Sequence, residues 1–396
     1  MLSAHTLDTV KGTAPILAQE GEAITRLFYR KLFNAHPELK NVFNMAHQAQ
    51  GDQPRALADS VFNYAKHIDR LDELGPLVKR IAHKHASLAV APDQYPIVGQ
   101  YLLEAVGEHL GLAPDHEVIT AWAEAYQQLA EVLIGAEEQI YADNAAKTGG
   151  WRGFRAFVIR RIVQEAEGVK SFYLQPQDGG SLAPFEAGQY IGIKVDGLVS
   201  EYEEIRQYSL SDSPSKDHYR ITVKSEAMSA AHPGTVSNAL HASQEGDLVW
   251  AQPPVGDFVI EQTDKDLVFI AAGVGITPLL SMLLSQLQVP ERASQITFIQ
   301  CCRDQHHHLF ADTLQALQGL HGFDYKVAYE QGGQADHQGR LTSEVLGSWM
   351  SQSDADVYFC GPKPFMGAVH DMLRSLGFAE ERLHYELFGP HAPLEQ

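Results

Sequence analysis

The sequence predicts a multidomain protein in which an all-α domain is followed by an antiparallel β-barrel and then by an α/β domain with a parallel sheet. At 396 residues the chain is too long for one compact core. Apolar residues recur at helical spacing up to about residue 147, alternate as in strands up to about residue 256, and then mark strands separated by helices. The first change of period falls at the short segment Lys147–Gly150. We therefore predict domains over 1–147, 151–256 and 257–396.

Turn and breaker residues delimit the elements within each domain. Proline and glycine residues separate the predicted helices of the first domain. The barrel strands are expected at 154–159, 169–174, 189–195, 207–211, 219–224 and 247–251. The parallel strands are expected at 267–272, 296–302, 325–329, 356–360 and 384–388, with helices between them.

Composition narrows the class of protein. The net charge of -20 is unfavourable for binding nucleic acid or an anionic membrane and fits a soluble enzyme. Cys301, Cys302 and Cys360 have neither a disulfide pattern nor zinc-ligand spacing, so we expect reduced thiols in a cytoplasmic protein. The N-terminus lacks the features of a signal peptide. Glycines and a proline interrupt the apolar stretch 267–285, which predicts a strand, a turn and a helix rather than a membrane span.

Helical phase separates two histidines of the all-α domain. His85 falls on the apolar face of its predicted helix together with Ile81 and Leu88, whereas His83 falls on the opposite face and is predicted to meet solvent. An inward histidine is more often a packed core residue than a ligand. Histidine is, however, also the usual protein ligand of haem iron.

Two further polar side chains lie on apolar helix faces. Gln53 is the first residue of the apolar stripe of a helix for which Asp52 is the predicted N-cap. This position is unusual for glutamine, because a buried amide without a hydrogen-bond partner costs free energy. Tyr29 lies among the large apolar residues of an earlier helix. A solvent-facing glutamine and a packed tyrosine are the ordinary explanations of each by itself. Together with His85 they indicate a ligand pocket.

The combined pattern resembles the globin domain of bacterial flavohaemoglobins, and the resemblance continues through the whole chain. It is carried by the order and spacing of six residues: Tyr29, Phe43, Gln53, Leu57, His85 and Tyr95. The resemblance implies one haem b. Tyr29 and Gln53 would donate hydrogen bonds to dioxygen bound on the distal side of the haem, and Leu57 would crowd that side. Phe43 would pack against the porphyrin.

The resemblance also implies a proximal side. His85 would be the iron ligand, and Lys84 would lie beside the pocket. Tyr95 and Glu137 would surround the outer nitrogen of the histidine, and such acceptors make an imidazole more electron-donating. Helical phase alone does not choose between Glu137 and its neighbour Glu138.

A four-residue motif predicts a flavin site in the barrel. Arg206-Gln207-Tyr208-Ser209 resembles the flavin signature of the ferredoxin reductase superfamily, although an edge strand with exposed side chains is the alternative. The arginine would pair with a pyrophosphate, the tyrosine ring would cover the isoalloxazine, and the serine would bond its reactive nitrogen. The pyrophosphate partner favours FAD over FMN.

Three other segments support a flavin. Tyr190 lies upstream of the motif, and Val236 and Ser237 lie in the first turn of a helix whose amides suit a phosphate. The C-terminal stretch resembles that of the family, in which the aromatic ring packs on the flavin, and here a leucine replaces the cysteine common there. Its residues are Glu386, Leu387, Phe388, Gly389 and Pro390.

Two turns in the last domain predict a nicotinamide site. The first follows a buried strand and opens a helix, an arrangement that lets backbone approach a pyrophosphate; its residues are Gly273, Val274, Gly275, Ile276, Thr277 and Pro278. The second ends a later strand, where parallel sheets bind ligands; its residues are Cys360, Gly361 and Pro362. Arg303 could meet the 2′-phosphate of NADPH or be an ordinary exposed arginine, so NADH and NADPH stay open.

The resemblance implies a nitric oxide dioxygenase. Electrons would pass from NAD(P)H to FAD and then to haem, and nitric oxide and dioxygen would leave as nitrate. The alternatives are an oxygen-binding or sensing globin with its own reductase, and a general flavin reductase. We expect a monomer with no nucleic-acid partner and no membrane span.

Overall fold

The computed structural model describes residues 2–43, 48, 51–195, 202–214, 217–226, 235–261, 264–350 and 354–389. Its first part is helical, as predicted. The helices are α1 (Ala4–Gly12), α2 (Ala14–Ala35), α3 (Asp52–His67), α4 (Gly75–Ser87), α5 (Gln94–Leu110) and α6 (Glu117–Ala146), with a 3₁₀ turn at Pro37–Asn41 between α2 and α3. The predicted N-cap at Asp52 is wrong by one residue. Gly51 occupies that position at a φ of 81°, a backbone region that favours glycine.

The helices pack because each buries an apolar stripe. Helix α2 crosses both α3 and α5, and α4 packs along the long helix α6. Phe28, Leu32 and Trp122 are buried where these helices meet. The helix that carries His85, α4, therefore makes its main helical contact with α6.

The second part is an antiparallel sheet closed on itself. Its strands are β1 (Arg155–Ala166), β2 (Val169–Pro176), β3 (Tyr190–Lys194), β4 (Ile205–Ser209), β5 (Tyr219–Lys224) and β6 (Leu248–Ala251), and helix α7 (Thr235–Ala242) lies between β5 and β6 in the chain. The spatial order is β4-β3-β6-β1-β2-β5. A bridge between Leu210 and Ile221 joins the two edges, so the predicted barrel forms. Strand β1 is longer than predicted.

The third part is a parallel sheet covered by helices. Its strands are β7 (Leu267–Ala272), β8 (Ile296–Cys302), β9 (Asp324–Tyr329), β10 (His337–Gln338), β11 (Asp356–Cys360) and β12 (Leu383–Glu386). The helices are α8 (Ile276–Gln286), α9 (Ala311–His321), α10 (Ser343–Trp349) and α11 (Lys363–Ser375). The strand order is β10-β9-β8-β7-β11-β12, so the direction of winding reverses between β7 and β11. In such sheets ligands bind at the carboxyl ends of the two strands that flank the reversal.

The predicted fold class is therefore confirmed in all three parts. The apolar stretch 267–285 is the buried strand β7, a glycine turn and helix α8, as predicted. Across the described ranges, no helix combines the length and apolar character needed to cross a membrane.

The barrel and the parallel-sheet domain are joined by a buried polar cluster at Asp212. Ser281 of α8 donates to the Asp212 carbonyl at 2.7 Å, while His218 lies 3.2 Å and Arg220 3.6 Å from its carboxylate. Burial by itself raises the pKa of Asp212, but the hydrogen bond from His218 and the charge of Arg220 outweigh it and lower this pKa to about 2.

We predict that Asp212→Asn lowers the free energy of unfolding at neutral pH by about 2 kcal/mol, since the folded state holds the ionised carboxylate more strongly than the unfolded chain. Because the folded pKa is depressed, this contribution is present above the usual aspartate pKa and is lost as the pH falls toward 2. Thermal unfolding of the holoprotein between pH 7 and pH 2 measures it. Asp217→Asn is the control, because Asp217 also contacts His218 but is 86% exposed. Equal destabilisation by both variants would contradict the prediction.

Candidate functional site

The proximal side is built around His85 on α4. Its Nδ1–H donates to Glu137 Oε1 at 2.7 Å, and the Tyr95 hydroxyl lies 3.0 Å from the same nitrogen. The Tyr95 hydroxyl in turn donates to Glu137 Oε1 at 2.5 Å, and burial together with this carboxylate raises the pKa of Tyr95. Glu138 instead pairs with Arg152 at the surface, 2.6 Å away. Geometry therefore selects Glu137 from the two candidates.

This arrangement fits a haem iron. An Nδ1–H bound to a carboxylate leaves Nε2 as the unprotonated nitrogen, which is the form that ligates metals. The His85 side chain is 30% exposed, so its outer edge is accessible, whereas Glu137 is buried behind it. The residues present would thus hold haem through His85.

The distal side is lined by aromatic and amide side chains. Tyr29 is buried, and its ring lies 5.6 Å from that of Phe43. Leu57 is half-buried against the same helical core. Burial raises the pKa of Tyr29 and outweighs the smaller, opposite effect of the neighbouring Gln48 and Gln53 side chains. The phenol is therefore neutral at physiological pH and can donate a hydrogen bond.

Within the part of the chain that the structure describes, two buried amide atoms near Tyr29 lack hydrogen-bond partners, as expected for a pocket that receives a polar ligand. Gln53 Oε1 and Gln48 Nε2 are buried and have no hydrogen-bond partner among the described residues. Buried polar atoms without partners are rare in folded proteins, and a polar ligand is one of their ordinary explanations. Sequence reasoning missed Gln48, because no helical period runs through its segment to place it beside Tyr29.

The predicted flavin motif lies on β4, where the Leu210–Ile221 bridge closes the barrel. Arg206 is half-buried and its Nη2 lies 2.6 Å from Glu204 Oε2, and Tyr208 packs against the barrel core. Ser209 is buried and pairs in register with Tyr190 on β3. Burial raises the pKa of Tyr208, so its ring is a neutral stacking surface. Arg206 would offer the remaining donors of its guanidinium to a pyrophosphate.

The other predicted flavin residues lie in the first turn of α7 and at the end of β12. Val236 and Ser237 are buried in the first turn of α7. The Ser237 hydroxyl accepts a hydrogen bond from the Glu226 amide, and the negative charge of Glu226 contributes to the raised pKa of Tyr208. Glu386 is the last residue of β12, and Leu387, Phe388 and Gly389 follow it. Phe388 is 48% exposed, which leaves part of its ring free to meet a ligand. Pro390 lies outside the described residues.

The two predicted nicotinamide turns meet where the sheet winding reverses. Gly273, Val274 and Gly275 form a 3₁₀ turn after β7, and Ile276, Thr277 and Pro278 are buried at the start of α8. A Cβ on Gly275 would lie 2.3 Å from the Cys360 carbonyl, so only glycine allows the two turns to touch. Gly361 and Pro362 follow Cys360 and lead into α11. The geometry fits a pyrophosphate at the start of α8.

The nicotinamide and flavin segments are also in contact. Cys360 is fully buried, and its Sγ donates to the Glu386 carbonyl at 3.3 Å. Burial raises the pKa of the Cys360 thiol well above its usual value, so it stays protonated and is not a nucleophile.

The helical domain and the barrel are joined directly beside His85. Lys84 Nζ donates to Gln207 Oε1 at 2.9 Å, and Gln207 Nε2 donates to Ser87 Oγ at 3.1 Å. Burial lowers the pKa of Lys84 to about 8, and burial followed by the charge of Asp257 raises the pKa of Glu386 to about 8. The residues that flank His85 thus contact strand β4 itself, which carries the predicted flavin motif.

The prediction that His83 faces solvent is wrong. The Gly256 amide of the barrel donates to His83 Nδ1 at 3.1 Å, and Arg80, one turn earlier, lies 3.8 Å from Asp257. Helical phase identifies correctly the face of α4 that turns away from the helical core. It carries no information about a second domain that covers that face.

Comparison with known proteins agrees with this architecture. Three family profiles match in succession: Globin over residues 26–133, Oxidoreductase FAD-binding domain over 157–260, and Oxidoreductase NAD-binding domain over 269–371. The chain is 47% identical to the flavohemoprotein of Pseudomonas aeruginosa over 100% of both chains. It is 44% identical to that of Rhizobium meliloti, over 98% of this chain and 99% of the relative.

Solved structures show the same arrangement. The flavohemoglobin of Malassezia yamatoensis, determined with bound FAD and heme, superposes with a TM-score of 0.85 at 28% identity, over 98% of this chain and 100% of that one. The FAD/NAD-binding domain of a Vibrio cholerae nitric oxide dioxygenase matches 60% of this chain and 99% of its own, with 38% identity and a TM-score of 0.55. The chain belongs to the flavohemoprotein family, in which a globin is fused to FAD-binding and NAD-binding oxidoreductase domains, and its cofactors are haem, FAD and NAD.

Proposed function

We propose that this protein is a nitric oxide dioxygenase that converts nitric oxide and dioxygen to nitrate with NAD(P)H as electron donor. The observation that carries the proposal is the contact between the proximal helix and the flavin strand, through Lys84, Gln207 and Ser87. A flavin takes electrons in pairs from a nicotinamide and delivers them singly, as a haem requires. The Vibrio cholerae protein whose reductase domain this chain resembles is named for the same activity.

The chain's own residues have distinct tasks in this proposal. His85 holds the haem, and Tyr95 with Glu137 fixes the orientation of its ring and makes the imidazole more electron-donating. Tyr29 and Gln53 donate hydrogen bonds to a diatomic ligand in the distal pocket, which Phe43 and Leu57 restrict.

The reductase residues have separate tasks. Arg206, Tyr208 and Ser209 orient the flavin, and Phe388 stacks on it. The glycine turn before α8 and the turn after Cys360 hold the nicotinamide dinucleotide.

The proposed activity is tested directly. Purified holoprotein is supplied with NADH, dioxygen and nitric oxide, and nitrate is measured with and without haem in the protein. Haem-dependent nitrate formation is expected. Slow oxygen release with no consumption of nitric oxide would indicate an oxygen-binding globin instead.

We further propose that the protein is a cytoplasmic monomer. The free cysteines of the described chain are in keeping with a cytoplasmic location, and light scattering tests the monomeric state.

Tyr29→Phe is expected to speed dissociation of dioxygen from the ferrous protein about tenfold, because one hydrogen bond to a polarised ligand is lost. Stopped-flow displacement of dioxygen by carbon monoxide measures the rate. Tyr64→Phe is the matched control, since Tyr64 is equally buried but donates to the Ala125 carbonyl outside the pocket. A Tyr29→Phe rate equal to that of the control would remove Tyr29 from the distal assignment.

A further inference from the structure

The barrel touches the helical domain at a second place, far along the chain from the contact beside His85. Asn41, the last residue of the 3₁₀ turn Pro37–Asn41, accepts a hydrogen bond from the Glu203 amide at 2.8 Å. The preceding Lys40 lies 4.9 Å above the Tyr202 ring and donates to its hydroxyl at 3.4 Å. This contact joins the residues just before flavin strand β4 to the segment just before Phe43.

Each side of this contact has a further contact within its own domain. On the barrel side Lys194 of β3 lies 3.1 Å from the Glu203 carboxylate. On the helical side Leu39 is buried in the core, and the Val42 amide donates to its carbonyl at 3.0 Å. On the helical side the contact is therefore continuous with the packed core.

The contact leads directly into the distal pocket. Phe43 follows Asn41 by two residues, and its ring meets the rings of Tyr29 at 5.6 Å and Phe33 at 5.3 Å, both nearly edge to face. Aromatic packing of this kind is directional, so a shift of Phe43 moves its partners. The described structure therefore contains an unbroken path of contacts from the Glu203 amide to the hydroxyl-bearing ring of Tyr29.

We propose that the FAD barrel positions the distal wall of the haem pocket through Asn41 and through the Lys40–Tyr202 contact. Asn41 and Tyr202 are positioning residues: they act on a haem ligand through Phe43 and Tyr29 and touch neither haem nor ligand themselves. The barrel thus contacts the helical domain on both sides of the pocket, through Ser87 on the proximal side and through Asn41 on the distal side. The inference rests on the distal assignment of Tyr29 and Phe43 in the proposed function and is independent of the reaction with nitric oxide.

The test uses full-length holoprotein reduced chemically, with carbon monoxide as the probe, so that no electron need pass through the flavin. The vibrational frequency of the bound carbon monoxide and its rebinding rate after flash photolysis are measured for Asn41→Ala and for Tyr202→Leu. Both variants are expected to shift the frequency and to change the rebinding rate in the same direction, by roughly two- to thirtyfold. In the double variant the effects are expected to be less than additive, because both changes break one contact region.

The controls separate this inference from its alternatives. Glu38→Ala alters the same 3₁₀ turn, but Glu38 is exposed and pairs with His36 of its own domain, so it is expected to leave both measurements unchanged. A change in Asn41→Ala without one in Tyr202→Leu would show a local effect within the helical domain and would overturn the role of the barrel. Tyr202→Leu also keeps the test decisive if Asn41→Ala fails to fold.

Tyr29→Phe distinguishes the two possible failures. If Tyr29→Phe shifts the carbon monoxide frequency and the Asn41 and Tyr202 variants do not, this inference alone is wrong. If Tyr29→Phe also has no effect, the distal assignment fails and this inference fails with it.

Discussion

Glu137→Gln is expected to lower the rate of haem-dependent nitrate formation by about 10- to 100-fold, the usual cost of changing a residue that hydrogen-bonds a metal-ligating histidine. The amide still accepts a hydrogen bond from His85 Nδ1 but lacks the charge that makes the imidazole electron-donating. The iron–histidine stretching frequency is therefore expected to fall as well. That spectroscopic change is what a mere loss of stability would not produce.

The chain provides a matched control for this prediction in the next residue. Glu138→Gln makes the same chemical change on the same helix, but Glu138 is exposed and pairs with Arg152 at 2.8 and 2.6 Å. A surface ion pair of this kind contributes little to the free energy of unfolding. Equal effects of the two substitutions on the rate and on the iron–histidine frequency would show that Glu137 has no special role.

Gly192→Ala is expected to slow delivery of electrons from the flavin to the haem by about 100-fold, the scale of loss when reacting groups are displaced by about an ångström. Strand β3 passes so close to the end of α4 that a Cβ on Gly192 would lie 2.0 Å from the Ser87 carbonyl oxygen. That neighbour is backbone and cannot rotate away. The barrel must therefore move off the helix that carries His85.

Stopped-flow absorbance separates the steps after mixing with NADH. Reduction of the flavin by NADH is expected at the wild-type rate in Gly192→Ala, because the nicotinamide turns lie in another domain, whereas reduction of the haem is expected to lag. Gly135→Ala is the control, since a Cβ added to this helical glycine of α6 would meet no atom within 4 Å. Unchanged haem reduction in Gly192→Ala would mean that this close contact does not set the distance between the two cofactors.

Local pattern is sufficient for the fold class, whereas the residues of the candidate site are predicted from the resemblance to a known family. The change from helical to alternating period separates the all-α part from the barrel, because each period follows from the geometry of a single element. The buried run of β7 and the glycines after it similarly place the turn before α8 where the structure has it. These features depend on neighbours within a few residues and are therefore readable from sequence.

Features that depend on a partner distant in the chain are not readable in this way. Only the folded structure distinguishes Glu137 from Glu138, because the distinction is which carboxylate of α6 turns toward His85 on α4. Helical phase assigns His83 to solvent because its helix face is free of the helical core, whereas the barrel covers that face. Gln48 gives no signal at all.

The segment Lys147–Gly150 shows the same division between sequence and structure. Its composition and the change of period mark a boundary between domains, which is a local property. That the two domains then meet at Ser87, at His83 and at Asn41 depends on contacts between residues more than a hundred positions apart. The sequence by itself determined the modules and the chemistry each can hold. Only the tertiary structure decided which side chains face each other between them, because no local period encodes a contact across that distance.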